Sequence, residues 1–296
     1  MNNSIIGTDG TLTFRDIAEQ LCASGIDSDA ARRESAVIIE SVLGITKSEL
    51  LLNRDINLAA AFPHLIDVLE AAVKRRVNRE PLQYILGEWD FMNSTFKVGA
   101  GCLIPRADTE IICEKAIAQI PHGGTFADLC TGSGCIAISI LLARTDIKTA
   151  VAVELSPEAA EYARENARNL GVEDRLTIIT ADVTGIVFSP EDMFDMIISN
   201  PPYIPARDVD NLAPELFFEP RLALDGGGDG LDIVRSIFDI YPAHINEGGA
   251  ILIEFGYDQR AGVEEIIRSA NFARAFSYEF LSDYGNNDRA VFVKFR

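Results

Sequence analysis

The chain has 296 residues, more than the ~100–200 of a usual single domain, so one large or two unequal domains are expected. Its 48% hydrophobic and 24% charged residues describe a globular protein with an ample core. A formal net charge of −19 disfavours direct binding of nucleic acid, because neutralising phosphates requires a basic face.

No apolar run approaches the ~20 residues of a membrane span, and the opening MNNSIIGTDG lacks the basic-then-apolar layout of a secretory leader. The five cysteines are odd in number and scattered, and there are three histidines. Neither a disulfide framework nor a zinc site is expected, and a reducing cytoplasm fits.

The first 80 residues read as a small helical bundle. Thr13 and Asp16 form a capping-box-like start, followed by Ile17, Leu21 and Cys22. Ser28 can cap a second helix carrying Ala31, Ile38, Ile39, Val42 and Leu43 at helical spacing, with Gly44 as its stop. Thr46 and Glu49 make another capping box, and Ile66, Leu69, Val73 and Val77 mark one stripe of a longer helix. Lys74, Arg75, Arg76 and Arg79 are the only dense basic group and read as a solvated helix end.

Residues 81–107 change texture. Aromatic and β-branched residues alternate with polar ones between Gly87, Asn93 and Gly99. That pattern predicts a β-hairpin bridge, with Trp89 as hairpin packing.

From residue 108 to 296 strands alternate with helices. Nearly continuous apolar runs at 125–129, 149–154, 176–180, 194–199 and 250–255 predict parallel strands covered on both faces. Helices are predicted at 108–119, 135–144, 157–170 and 232–241, and a closing hairpin at 276–281 and 290–295. The fold class is α/β: a doubly wound, mostly parallel seven-stranded sheet with an antiparallel last strand, joined through the hairpin to the N-terminal bundle.

The first strand runs into Asp128-Leu-Cys-Thr-Gly-Ser-Gly134, directly before a helix. Glycines there let a ligand approach the backbone, and the helix N-terminus offers free N–H groups. Gly132-x-Gly134-x-x-Ala137 also satisfies a dinucleotide pattern. Glu154 closes the second strand, where a carboxylate can take a ribose diol of NAD or of S-adenosylmethionine. Asp182 closes the third and can accept from an adenine amino group. All three lie at carboxyl ends of neighbouring strands, where open α/β sheets bind ligands.

After the fourth strand comes Ser199-Asn-Pro-Pro-Tyr203. The two prolines fix two φ angles and remove two donors, so the local carbonyls stay free. Asn200 adds a side-chain acceptor, and Tyr203 an aromatic face. Two converging acceptors, Asn200 and the Pro201 carbonyl, suit a planar –NH2 group, for which a hydride-transferring NAD enzyme has no use. Methyl transfer to such a nitrogen is an in-line displacement that asks mainly for alignment.

Gln83-Tyr-Ile-Leu-Gly87, Leu103-Ile-Pro-Arg-Ala-Asp-Thr-Glu110, Asp128–Gly134, Asn200–Tyr203 and the run from Glu219 to Leu231 resemble the bacterial peptide chain release factor N5-glutamine methyltransferases over nearly the whole chain. The resemblance implies S-adenosyl-L-methionine as cofactor and the glutamine of the Gly-Gly-Gln loop of class 1 release factors as substrate. It implies cofactor contacts from Asp128, Cys130, Thr131, Gly132, Ser133, Gly134, Glu154, Asp182, Val183 and Asn200. Asn200, Pro201, Pro202 and Tyr203 would hold the glutamine, and the chain would act as a monomer with its helical front recognising the protein substrate. Cys130 stands where the family usually has glycine, Glu154 where aspartate is usual, and Ala107-Asp108 where Pro-Glu is common. The glycine-rich 221–232 segment reads as a loop over the sheet edge. Arg106 and Glu110, where bridge meets catalytic domain, read equally as a structural ion pair or as parts of cofactor closure. Rival readings are a ribosomal-protein glutamine methyltransferase, an adenine methyltransferase acting on DNA, and a non-catalytic binding module.

Overall fold

A computed structural model describes residues 5–7, 10–53, 55–270, 272 and 274–296. The leader-free reading of residues 1–10 therefore falls partly outside the described residues. The chain divides into two compact units, residues 1–87 with 213–218, and residues 88–212 with 219–296.

The first unit is helical: α1 (Phe14–Ala23), α2 (Ser28–Leu43), α3 (Lys47–Leu52), α4 (Leu58–Ala61), α5 (Ile66–Val77) and α6 (Leu82–Leu86). The Thr13/Asp16 and Thr46/Glu49 capping boxes both form, each satisfying two orphan backbone donors. Gly44 ends α2 in the left-handed conformation. The cap of α2 is Asp27, not Ser28; its carboxylate accepts from the amides of Asp29 and Ala30. An ionised acceptor at a helix N-terminus is favoured over a hydroxyl by the helix dipole.

The basic group is a solvated end at Lys74 and Arg75, whose side chains are 44% and 45% exposed, but not at Arg76. Arg76 is 4% exposed and pairs with Glu34 at 2.6 Å and Glu215 at 3.1 Å. Arg79 meets Glu215 at 2.7 Å, Arg75 meets Glu80 and Lys74 meets Glu70. Carboxylates thus pair with every cation of the group. Residues 82–86 are a helical turn ended by Gly87 at φ 77°, so the strand texture expected from residue 81 begins only at 88.

The second unit opens with a hairpin of β1 (Glu88–Phe91) and β2 (Ser94–Lys97). Phe91 and Phe96 bury one face, edge to face at 6.1 Å, and Trp89 is half-buried beside them. There follow α7 (Glu110–Gln119), β3 (Phe126–Leu129), α8 (Cys135–Ala143), β4 (Ala150–Glu154), α9 (Pro157–Asn169), β5 (Leu176–Thr180) and β6 (Phe194–Ser199). The last elements are α10 (Asp232–Ile240), β7 (Ile245–Glu254), α11 (Arg260–Ser269), β8 (Phe276–Ser282) and β9 (Asp288–Phe295).

The sheet order is β5-β4-β3-β6-β7-β9-β8. All neighbours through β7 are parallel, and β9 is antiparallel to both β7 and β8. One core packs Ile112, Ile136, Ile140 and Ile198 on one face, and a second packs Val234, Phe238, Val263 and Ile251 on the other. Both faces are covered, which is why the strands read as unbroken apolar runs. The chain direction across the sheet reverses between β3 and β6, the switch point where a crevice opens beyond the strand ends. Helix α11 has no counterpart in the sequence reading: its start lacks a side-chain cap.

Candidate active site

The carboxyl ends of β3 and β6 carry the two loops that matter. Leu129 is in register with Ser199, and the Ser199 hydroxyl donates to the Leu129 carbonyl at 2.8 Å. Cys130 and Asn200 therefore leave adjacent strands side by side, roughly 4.8 Å apart in the hydrogen-bonding direction.

The β3 loop turns through three left-handed residues, Cys130 (φ 60°), Gly132 (φ 57°) and Gly134 (φ 80°). A Cβ on Gly134 would come within 2.9 Å of Ile138 Cδ1 and 3.2 Å of Ala163 Cβ, whereas one on Gly132 would meet nothing within 4 Å. Gly134 is thus a packing glycine, and Gly132 keeps the cleft floor open. The Thr131 hydroxyl donates to buried Asp128 at 2.5 Å, and Asp128 also accepts from the Ala137 amide at 3.2 Å. Asp128 lies wholly beneath the loop, and burial pushes its carboxyl up to about 7. Glu154 accepts from the Gly132 amide at 2.8 Å through one oxygen and from Ser156 at 2.9 Å through the other.

A cleft of about 170 Å³ opens over these strand ends. Cys130, Thr131, Gly132, Ser133, Glu154, Asp182, Val183, Asn200 and Pro202 line it. Asp128, Gly134, Pro201 and Tyr203 are not among its lining residues. Asp182 uses one carboxylate oxygen to accept from the backbone and hydroxyl of Thr184. Burial drives the Cys130 thiol far up and that of Cys135 to about 12, so neither is a thiolate nucleophile at neutral pH.

The β6 corner has one decisive contact. Asn200 donates from Nδ2 to the Thr109 hydroxyl at 3.1 Å. With Nδ2 turned to Thr109, Oδ1 is left as an acceptor, and Asn200 lines the cleft. Tyr203 has its hydroxyl against Arg289 and Glu254, and burial pushes it up to about 12.

The glycine-rich segment does not run over the sheet edge. It braces the corner: Ile204 donates to the Leu224 carbonyl and Gly226 to the Ile204 carbonyl, both at 2.9 Å. A Cβ at Gly226 would sit 2.6 Å from the Pro202 oxygen, and one at Gly230 would sit 2.2 Å from the Tyr203 oxygen. Gln259 completes the brace, donating to the Tyr203 carbonyl at 2.7 Å. Arg106 and Glu110 have separate partners. Arg106, on the cleft, forms an ion pair with buried Glu219, which also accepts from the Ile104 amide; Glu110 accepts from the Met92 amide at 2.7 Å.

Residues 13–87 match the PrmC N-terminal domain and residues 108–248 the methyltransferase small domain. A release factor glutamine methyltransferase from Geobacter sulfurreducens is 38% identical over 92% of this chain and 91% of its own length. One from Cereibacter sphaeroides is 39% identical over 94% and 95%. The chain belongs to the release factor glutamine methyltransferase family. Among solved structures, the hMettl16 catalytic domain shares the fold with a TM-score of 0.53 at 16% identity, over 67% of this chain and 74% of that one. The chain is accordingly a methyltransferase.

Within that family assignment, several site-building residues carry little sequence signal. Thr109 is hidden in the middle of the Leu103–Glu110 motif, and Gln259 lies in a stretch without pattern. Asn166, 1% exposed, ties the hairpin to the cofactor loop by bonding both Lys97 and the Ser133 carbonyl. Glu254 had a signal available: like Glu154, it is an acid ending an apolar strand.

Proposed function

We propose that this chain transfers a methyl group from S-adenosyl-L-methionine to the side-chain amide nitrogen (N5) of the glutamine in the Gly-Gly-Gln loop of class 1 peptide chain release factors. The observation that carries the reading is the oriented Asn200 amide, one strand away from an open glycine loop in the same cleft.

The cleft suits the donor: Gly132 leaves its floor clear, Glu154 offers a carboxylate at one side, and the Asp182–Val183 corner closes another. Glu154 would hold the ribose diol, Asp182 and Val183 the adenine, and Cys130–Gly134 the chain between them, with Asp128 supporting the loop. When bound, the cofactor supplies an electrophilic methyl carbon on a sulfonium. The protein's own work is to hold the glutamine nitrogen in line. Asn200 Oδ1 and the Pro201 carbonyl would each accept one N–H of the substrate amide. This favours a pyramidal nitrogen and accommodates the positive charge developing on it. The rigid Pro201–Pro202 pair sets the acceptor directions, and Tyr203 would pack against the amide plane. Orientation of this kind contributes up to roughly 7–11 kcal/mol in the best intramolecular cases.

The 1–80 helices would read the folded release factor, residues 81–107 link them to the 108–296 catalytic domain, and one copy of the chain in the cytoplasm carries every site residue. No helix among the described residues is long and apolar enough to cross a membrane. The test is mass spectrometry of a class 1 release factor after incubation with the chain and labelled methyl donor. One methyl on the Gly-Gly-Gln glutamine is expected from the native sequence, with strongly reduced turnover and unchanged cofactor affinity for Asn200→Ala. Label on another residue, or undiminished turnover by Asn200→Ala, would refute the assignment.

A further inference from the structure

Glu254 is the acid at the end of β7 that the reaction so far leaves unused. It is 1% exposed, and its Oε2 has no hydrogen-bond partner. Ile253 pairs with Ser199 across the β6–β7 ladder, so Glu254 leaves its strand beside the Asn200 corner. The hydroxyls of Thr109 and Tyr203 lie beside its carboxyl group, with Arg289 as the nearby cation and Asp108 as the nearby anion.

The direction of these bonds is set by counting protons. A threonine hydroxyl has one donor. Thr109 Oγ1 accepts from Asn200 Nδ2 at 3.1 Å, so its own proton is free to go elsewhere, and the ionised carboxylate of Glu254 is a pure acceptor in reach. Arg289, whose guanidinium donates to Asp283, also stands near the Tyr203 hydroxyl and has no acceptor to offer it, so Glu254 is the acceptor available to the tyrosine proton. We infer that Glu254 is a positioning residue: by taking the Thr109 proton it holds the Asn200 amide with Nδ2 turned inward and Oδ1 turned to the substrate –NH2. Without that acceptor the Thr109 hydroxyl can rotate and donate to Asn200 Oδ1. The Asn200 amide then flips and presents its own –NH2 to the glutamine –NH2, donor against donor. This inference rests on the proposed function, because it assigns Asn200 the acceptor role there.

Two consequences separate this role from simple core packing. Glu254→Gln keeps the shape but brings an –NH2 that donates to Thr109 and sends the Thr109 proton to Asn200 Oδ1, so it should hold the corner mostly flipped. Burial pushes the Glu254 carboxyl up to about 7, so the acceptor-only form prevails above that pH and kcat should fall as pH drops through it.

The experiment uses the full chain, S-adenosylmethionine and a folded class 1 release factor. It measures kcat and KM from about pH 5 to about pH 9, roughly two units either side of the Glu254 carboxyl at about 7, with cofactor affinity by calorimetry. Glu254→Gln is expected to lower kcat about tenfold or more, to keep cofactor Kd within about twofold and to lose the acid limb of the wild-type profile. Thr109→Ser should retain activity, Thr109→Val should match Glu254→Gln, and the double variant should lose little more, as expected for one coupled unit. If Glu254→Gln keeps wild-type kcat and acid limb while Asn200→Ala is inactive, the positioning role falls and the proposed function stands. If Asn200→Ala is fully active, both fall. Should Glu254→Gln fail to fold, Thr109→Val with unchanged kcat overturns the inference by itself.

Discussion

Gly226→Ala perturbs the acceptor corner without touching the cofactor loop. The added Cβ would lie 2.5 Å from the Gly230 oxygen, 2.6 Å from the Pro202 oxygen and 2.8 Å from Tyr203 Cα. All three are backbone atoms, so no side chain can swing aside. Restoring ordinary contacts of about 3.4 Å requires the corner to shift by roughly 0.5–1 Å, and misplacement of that order costs up to about 10²-fold in rate. Overpacking in a well-filled region costs about 1–3 kcal/mol in stability. Gly226 has no positive φ, so the whole effect is steric. Gly228 provides the control: two residues on, a Cβ meets nothing within 4 Å. The assay is steady-state methyl transfer to a folded release factor beside calorimetric cofactor binding. Gly226→Ala should lose about 10- to 100-fold in kcat with cofactor Kd unchanged, and Gly228→Ala should resemble the native chain. A kcat within twofold of native for Gly226→Ala would refute the bracing argument.

Gly134→Ala should instead destabilise the fold by about 2–4 kcal/mol, from the left-handed backbone plus the clash with Ile138 and Ala163; urea titration reads it, and a loss below 1 kcal/mol, roughly the left-handed cost alone, would contradict the packing role. Arg76→Ala should cost about 2–4 kcal/mol because it strands Glu34 and leaves Glu215 with Arg79 alone, and an unchanged urea midpoint would show the ion cluster to be idle. Asp128 and Glu254 both have carboxyls raised by burial to about 7, against about 4 in the unfolded chain. The folded state therefore binds more protons between those values, and stability should fall as pH rises from about 4 to about 7 and level off above. Asp128→Asn should flatten part of that slope, and an identical slope in the variant would remove Asp128 as its source.

The sheet was legible because its strands are short apolar runs covered on both faces, and because the acids and glycines at their carboxyl ends interrupt those runs at fixed points. The hidden parts depend on contacts between residues distant in sequence. Nothing local says that Gly226 and Gly230 must admit the Pro202–Tyr203 backbone, so a glycine-rich stretch reads only as a loop. Nothing local separates Arg76, buried between two carboxylates, from Lys74 on the surface, since the partner Glu215 is 139 residues away. Helix α6 forms where the sequence predicts strand, because Tyr84 and Ile85 are β-formers by propensity, overridden here by the tertiary setting. The Ser28 cap was displaced by a better acceptor one residue earlier.

The two departures from the family pattern at the cofactor loop have a shared physical explanation. A left-handed residue is required at position 130 by the turn out of β3, and glycine meets that demand freely while cysteine costs about 1–2 kcal/mol. The Cys130 side chain packs among the core that holds Val183 and Tyr241, so its burial offsets part of that cost. Glu154 is one methylene longer than aspartate. It uses the added reach to accept from the Gly132 amide at the middle of the same turn. A strained entry residue and a longer carboxylate that clamps the turn from the neighbouring strand are thus two sides of one local solution. The loop keeps three consecutive left-handed positions at alternate residues with only two of them glycine, because the β4 acid holds the centre of the turn in place.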